Sequence, residues 1–181
     1  MADRPNIIFM HSHNTGAFVE PYGHAVPTPN LHRLAEEGVL FRRAFATAPT
    51  CSPSRASFLT GMYPHSCGML GLAHRGFSMS NYDWHAARIF KANGYFTATS
   101  GVEHTAPDLD TIGYDVILSG LDTNYPDQPK RIDPADAVVE FLKNAPDEPF
   151  FLNLGLNETH RPFHKAEPEK YPAEREQFCI P

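Results

Sequence analysis

The chain has 181 residues, a formal net charge of −6 and charged side chains at 20% of its positions. That length suffices for one domain with a sizeable core, and the 41% hydrophobic content is that of a folded protein rather than a disordered tail. The acidic balance excludes nucleic-acid binding through a broad positive surface, so an anionic ligand would have to be met by local cations. Three cysteines at no zinc-ligand spacing argue against a disulfide framework or a structural zinc site. The opening MADRPNIIFM lacks a charged stretch followed by an apolar core, and no membrane-spanning run occurs. The expected setting is the cytoplasm, with Cys67 and Cys179 as reduced thiols and no membrane partner.

Residues 6–10, NIIFM, form a continuous apolar run, which predicts a strand buried on both faces. It ends in the polar cluster His11-Ser12-His13-Asn14-Thr15-Gly16. In open α/β sheets, sites gather at such carboxyl ends. His11 and His13 are two apart and on an extended strand would share a face. They read either as ligands to a soft metal such as zinc or as polar loop histidines without a metal. Thr28-Pro29-Asn30 predicts the opening of a helix carrying Leu31, Leu34 and Ala35 and stopping at Gly38. Residues 39–46 predict a strand, ended by Pro49.

The stretch Cys51-Ser52-Pro53-Ser54-Arg55-Ala56-Ser57-Phe58-Leu59-Thr60-Gly61 sets a thiol and an arginine where an extended segment turns into a helix. Ser52 is the expected N-cap and Pro53 suits the first turn. A helix N-terminus offers free N–H groups and a positive dipole end, which suit a tetrahedral oxyanion such as sulfate or phosphate. Arg55 can add a two-pronged donor. A nucleophile at Cys51 would sit where the anion docks.

Residues 83–93 predict a helix stopped by Gly94, and residues 95–100 a strand leading into Gly101-Val102-Glu103-His104. Residues 114–118 read as a short strand and residues 124–129 as a proline-punctuated loop. Asp133-Pro134 caps a helix with Val138, Val139, Phe141 and Leu142 on one side. Residues 150–156 are another buried strand, leading into Asn157-Glu158-Thr159-His160-Arg161-Pro162-Phe163. Buried strand runs alternating with capped helices predict an α/β protein.

CSPSRASFLTG resembles the signature of the type I sulfatases, in which the cysteine of C-x-P-S-R is oxidised to formylglycine after synthesis. TPNLHRLAEEGVLFRRAFA, the Met62-Tyr63-Pro64-His65 segment, the H-x-P-F at His160 and Pro168-Glu169-Lys170-Tyr171-Pro172 are similar to the same family, so the resemblance covers nearly the whole chain. Gly68-Met69-Leu70-Gly71-Leu72-Ala73-His74-Arg75 resembles the heparan N-sulfatase-like branch. The resemblance implies a three-layer α/β/α sandwich with a mostly parallel sheet, alkaline-phosphatase-like. Residues 1–181 would be the N-terminal part of the catalytic domain, incomplete at the C-terminal end.

The same resemblance implies hydrolysis of a sulfate ester or sulfamate on a small molecule or saccharide. It assigns Cys51 as the formylglycine precursor, Arg55 as its stabiliser, and His104 or His160 as general acid or base. Ser54, His74 and Arg75 would face the substrate. It implies a divalent metal, calcium in the family pattern, at His13, Asn14 and Cys51, and a formylglycine-generating enzyme as a maturation partner. The chain departs from the pattern at two places. The paired aspartates are His13 and Asn14, which weakens a hard-cation site. The lysine of G-K-x-H is Val102, a loss of about 2–5 kcal/mol of anion binding unless Arg75, Lys130, Arg131 or Arg161 replaces it. A truncated or degenerate non-catalytic homologue and a phosphoester or phosphonate hydrolase therefore stand as alternatives.

Overall fold

The computed structural model describes residues 4–119 and 133–161. In chain order they form β1 (Ile7–His11), α1 (Pro29–Glu37), α2 (Cys51–Thr60), α3 (Pro64–Cys67), α4 (Ala86–Ala92), β2 (Phe96–Gly101), β3 (Val116–Ser119), α5 (Pro134–Lys143) and β4 (Phe150–Gly155), with short 3-10 turns between. The chain divides into two compact units. One takes the residues up to Ser12 with Ala46–Asn157, and the other takes His13–Phe45 with the residues from Glu158 on.

The first unit holds the sheet. Its four strands are all parallel in the order β1-β4-β2-β3. β4 is buried throughout because it pairs on both sides, with β1 and with β2. Its alternation feeds two cores. Phe151 packs with Leu59 of α2, Ala87 of α4, and Ile7 and Phe9 of β1. Phe150, Leu152 and Leu154 pack with Ala98 of β2 and with Val138 and Phe141 of α5. Helices thus cover both faces, giving the expected three layers. Burial of a side chain such as Leu152 contributes about 1.5–3 kcal/mol.

Three expectations change. β1 is an edge strand among the described residues, and Ile8 and Met10 on its α5 side are 49% exposed rather than buried. Its apolar run alone does not tell an edge from a centre. Helix α2 begins at Cys51 with Thr50 as its N-cap. Ser52 lies inside the first turn, where its buried hydroxyl accepts a hydrogen bond from the Ala73 N–H at 3.0 Å. Residues 83–93 split into a 3-10 turn at Tyr82–Trp84 and helix α4, because His85 breaks the run in an extended conformation. Its Nδ1 accepts from the Ala87 N–H at 3.1 Å and so caps α4. The cap of α5 is as the sequence predicts: the Asp133 carboxylate accepts from the Ala135 N–H at 2.8 Å.

In the second unit, α1 follows Thr28 and stops before Gly38 as predicted. Reciprocal bonds tie its start to a preceding turn, with the Glu20 N–H donating to the Thr28 hydroxyl and the Thr28 N–H to the Glu20 carboxylate, both at 3.0 Å. Residues 39–46 form no strand, and Phe41 and Phe45 are 70% and 87% exposed. No helix among the described residues is long and apolar enough to cross a membrane. The loop at 124–129, Lys130, Arg131, Pro162, Phe163, residues 168–172 and Cys179 lie outside the described residues.

Candidate active site

Three strands of the first unit end level with one another: His11 pairs with Gly155, and Gly155 with Gly101. Both glycines are needed for close approach. A Cβ on Gly155 would lie 2.0 Å from the Val102 carbonyl oxygen and 2.9 Å from the His11 ring. Gly101 takes φ +79°, and a Cβ there would lie 2.0 Å from the Gly155 carbonyl oxygen. Helix α2 lies against this end of β1, with the Phe58 ring 4.9 Å from Phe9 and 5.3 Å from His11.

The N-terminus of α2 presents Cys51, half-buried, at its first residue. Ser54 is half-buried, and its N–H already donates to the Thr50 carbonyl at 3.1 Å. Arg55 is buried, four positions from Cys51 and so on the same helix face. Its Nη1 donates to the Val102 carbonyl at 2.7 Å and lies 3.0 Å from His11 Nδ1. The position that carries lysine in the resembled pattern therefore contributes a backbone acceptor here, and its valine side chain is buried.

His11 uses both ring nitrogens inside the first unit, since Nε2 lies 3.0 Å from Asn153 Oδ1. Burial, and then the Arg55 charge, hold its pKa down to about 4, against smaller opposing effects of Asn153 and Glu103. It is therefore a neutral partner of Arg55, not the metal-facing mate of His13 that a shared strand face would make it. Asn153 Nδ2 donates to the Tyr114 hydroxyl at 3.1 Å. Burial, then the Glu103 charge, push the Tyr114 hydroxyl well above its usual value.

Beside these residues, Glu103 is fully buried. His85 Nε2 reaches it at 3.1 Å, and Thr105 donates through its N–H at 2.8 Å and its hydroxyl at 2.8 Å. Burial alone would raise its carboxyl pKa, but the His85 and Thr105 donors prevail and hold it below the ordinary value. His104 follows with a left-handed φ of 64°, a conformation that costs about 1–3 kcal/mol outside glycine. It is buried, with Nε2 2.9 Å from Nδ1 of the exposed His74 and the two rings stacked at 5.1 Å. Two of the histidines singled out from sequence thus form one pair. Arg75 is exposed on the same 3-10 turn.

In the second unit, His13 is buried and its ring meets His160 edge-on at 5.0 Å. His160 Nδ1 lies 2.6 Å from the Arg161 carbonyl oxygen and donates to it, which fixes its tautomer. Asn14 is exposed at φ 52°, a left-handed conformation that asparagine tolerates. An open cavity of about 520 Å³ is lined by Asn14, Thr15, Phe18, Thr159 and Arg161. The imidazoles of His13 and His160 offer ring nitrogens, and the Asn14 amide one oxygen, with no carboxylate among the three. Calcium wants several oxygen ligands with carboxylates among them, so this set suits a borderline ion such as zinc and does not fit calcium.

Sequence reasoning had no signal for Glu103, His85 or Tyr114. Asn153 did carry one, as a polar residue in the middle of a six-residue buried strand.

A parallel sheet covered on both faces, with a thiol and a buried arginine heading a helix at the carboxyl ends of its strands, is an α/β fold of the alkaline-phosphatase-like class. The chain belongs to the sulfatase family: the family model described as Sulfatase matches residues 5–180. N-sulphoglucosamine sulphohydrolase of Homo sapiens is 32% identical over 143 residues, covering 77% of this chain and 28% of its own length. N-acetylglucosamine-6-O-sulfatase of Bacteroides thetaiotaomicron is 30% identical over 177 residues, covering 87% of this chain and 31% of its own. Among solved structures, Ps i-CgsB superposes with a TM-score of 0.74 at 25% identity, over 94% of this chain and 49% of that one. Phosphonate monoester hydrolase of Agrobacterium radiobacter shares the fold, with a TM-score of 0.62 at 21% identity over 91% of this chain and 43% of its own. The chain thus spans less than a third of the two curated relatives and about half of the first of these solved chains. Family members hydrolyse sulfate esters and sulfamates and generally use formylglycine and a divalent metal.

Proposed function

We propose that this chain carries the nucleophile and the principal anion-binding arginine of a sulfatase acting on a sulfated saccharide, as a sulfate ester or a sulfamate. The observation that carries the reading is Cys51 as the first residue of α2, with Arg55 four positions on and buried. Conversion to formylglycine by a maturation enzyme would give residue 51 a hydrated aldehyde, one hydroxyl to attack sulfur and a second to release sulfate. Arg55 supplies a fixed positive charge to the anion. The His74–His104 pair shares one hydrogen bond between two ring nitrogens and suits general acid or base work on the leaving oxygen. A divalent ion belongs to this reading, with His13 and Asn14 among its candidate ligands. Nothing in the donor chemistry of the second unit favours calcium.

The saccharide class rests on similarity. The human and Bacteroides relatives are named for N-sulphoglucosamine and N-acetylglucosamine-6-O-sulfate chemistry, and Ps i-CgsB was also solved with a neocarrahexaose. A cytoplasmic setting is part of the proposal, on the odd cysteine count. The test is turnover of an aryl sulfate and of N-sulfoglucosamine by the full-length protein made with a maturation enzyme, beside C51A. Activity lost in C51A supports the reading, and equal activity in the two contradicts it.

A second reading, an anion-binding homologue without turnover, draws on one observation: Val102 offers Arg55 a carbonyl and the anion no cation. Under it, the N14D/V102K double variant gains sulfatase activity that the wild type lacks; a wild type already active removes this reading.

A further inference from the structure

Arginine has donors only and keeps its charge at any ordinary pH, so every group that Arg55 faces must accept. Nη1 carries two hydrogens and faces two acceptors, the buried Val102 carbonyl oxygen at 2.7 Å and the half-buried His11 Nδ1 at 3.0 Å. Nδ1 must then hold a lone pair, which places the proton of the neutral ring on Nε2. That nitrogen faces Asn153 Oδ1 at 3.0 Å. Nη1 also lies 3.4 Å from Nε2, but a nitrogen donating to Asn153 cannot accept there. The amide is itself oriented, because Asn153 Nδ2 donates to the Tyr114 hydroxyl at 3.1 Å. A line of hydrogen bonds with one consistent polarity runs from Arg55 through His11 and Asn153 to Tyr114.

An apolar side chain at 11 would continue the Ile7 and Phe9 face with no buried polar atoms to satisfy. Burying an imidazole, an amide and a phenol on this face is costly unless each is paired, and here each is. The arrangement does for the guanidinium what packing alone cannot: it selects one rotation about a long, flexible side chain.

We propose that His11, held as its Nε2–H tautomer by Asn153, is a positioning residue for Arg55, presenting the guanidinium in one orientation to an anion at residue 51. The anion part rests on the sulfatase reading; the tautomer and the fixed arginine do not.

The test uses full-length protein as wild type, H11N and H11L. Asparagine keeps an acceptor close to where Nδ1 stands, and leucine fills the space without one. In ¹⁵N spectra of histidine and arginine side chains near neutral pH, wild type should show His11 protonated on Nε2 only, with a resolved Arg55 Nη1 signal. H11L should lose that signal and H11N keep it. On an aryl sulfate, H11L should lose about 10–100-fold in kcat with KM changed far less, and H11N should recover most of it. A proton on Nδ1, or H11N and H11L behaving alike while both remain folded, overturns the proposal. If wild type shows the tautomer and the Arg55 signal but hydrolyses no sulfate, the positioning stands and the sulfatase reading falls.

Discussion

Nη1 of Arg55 and the carbonyl oxygen of Val102 lie 2.7 Å apart, both in the interior, and this contact joins the signature helix to the end of β2. Nη1 of Arg55 thereby faces a backbone carbonyl and, at His11, a neutral imidazole. Arg55→Ala would leave the buried Val102 carbonyl and the half-buried His11 Nδ1 without this donor. At about 1–3 kcal/mol for each orphaned group, stability should fall by about 2–6 kcal/mol in urea unfolding. Arg55→Lys, a point charge without the planar fork, should recover only part of this.

Gly155→Ala should be among the most damaging small changes. The added methyl would meet the Val102 carbonyl at 2.0 Å, and that oxygen is backbone in a strand-end turn, so it cannot step aside cheaply. The change strikes both acceptors of Arg55 at once. The expected outcome is a lowered thermal midpoint together with loss of anion binding; an unchanged midpoint would mean the strand ends are looser than described.

Glu103 is a buried carboxylate satisfied by His85 and Thr105. His85 Nδ1 accepts from the Ala87 N–H, so the imidazole donates to Glu103 through Nε2 and also fixes the start of α4. Glu103→Ala should cost about 3–5 kcal/mol, since it orphans several buried donors together. Comparison of urea midpoints for wild type and variant checks this.

Asp115 predicts an acid sensitivity away from the site. Its burial opposes ionisation, but the Lys91 ammonium at 2.6 Å and the Thr97 N–H and hydroxyl outweigh that and hold its pKa below the ordinary value. A carboxyl with a lowered folded pKa gives stability that is present above its unfolded value, about 3.9, and is lost as pH falls through the folded one. Wild type should therefore lose more stability than Asp115→Asn between neutral pH and pH 3. Parallel acid dependences would show that the pair contributes nothing.

The fold was legible where local chemistry and tertiary packing agree. Pro29 after Thr28, Asp133 before Pro134, and the buried run from Phe150 marked α1, α5 and β4 directly. Residues 39–46 misled because the apolar character of Val39, Phe41 and Phe45 favours a strand only if a partner strand lies alongside, and sequence does not supply one. Ser52 misled because Thr50 and Ser52 are both good caps, and only the distant Ala73 N–H decides which hydroxyl turns inward. In the site, Cys51 and Arg55 were visible through a contiguous motif. The pairing of His74 with His104 was not, being separated by 30 residues. The same holds for the line from Arg55 to Tyr114, whose members come from α2, β1, β4 and the approach to β3 and meet only through strand register.

The central claim is that residue 51 acts as a formylglycine derived from cysteine. The most direct measurement is the mass of the peptide containing Cys51, taken from protein purified from its native cell. The account predicts the mass loss of a thiol converted to an aldehyde, together with capture of that peptide by a carbonyl-reactive hydrazide. A peptide that carries only an intact thiol, from protein that still hydrolyses sulfate, would contradict it.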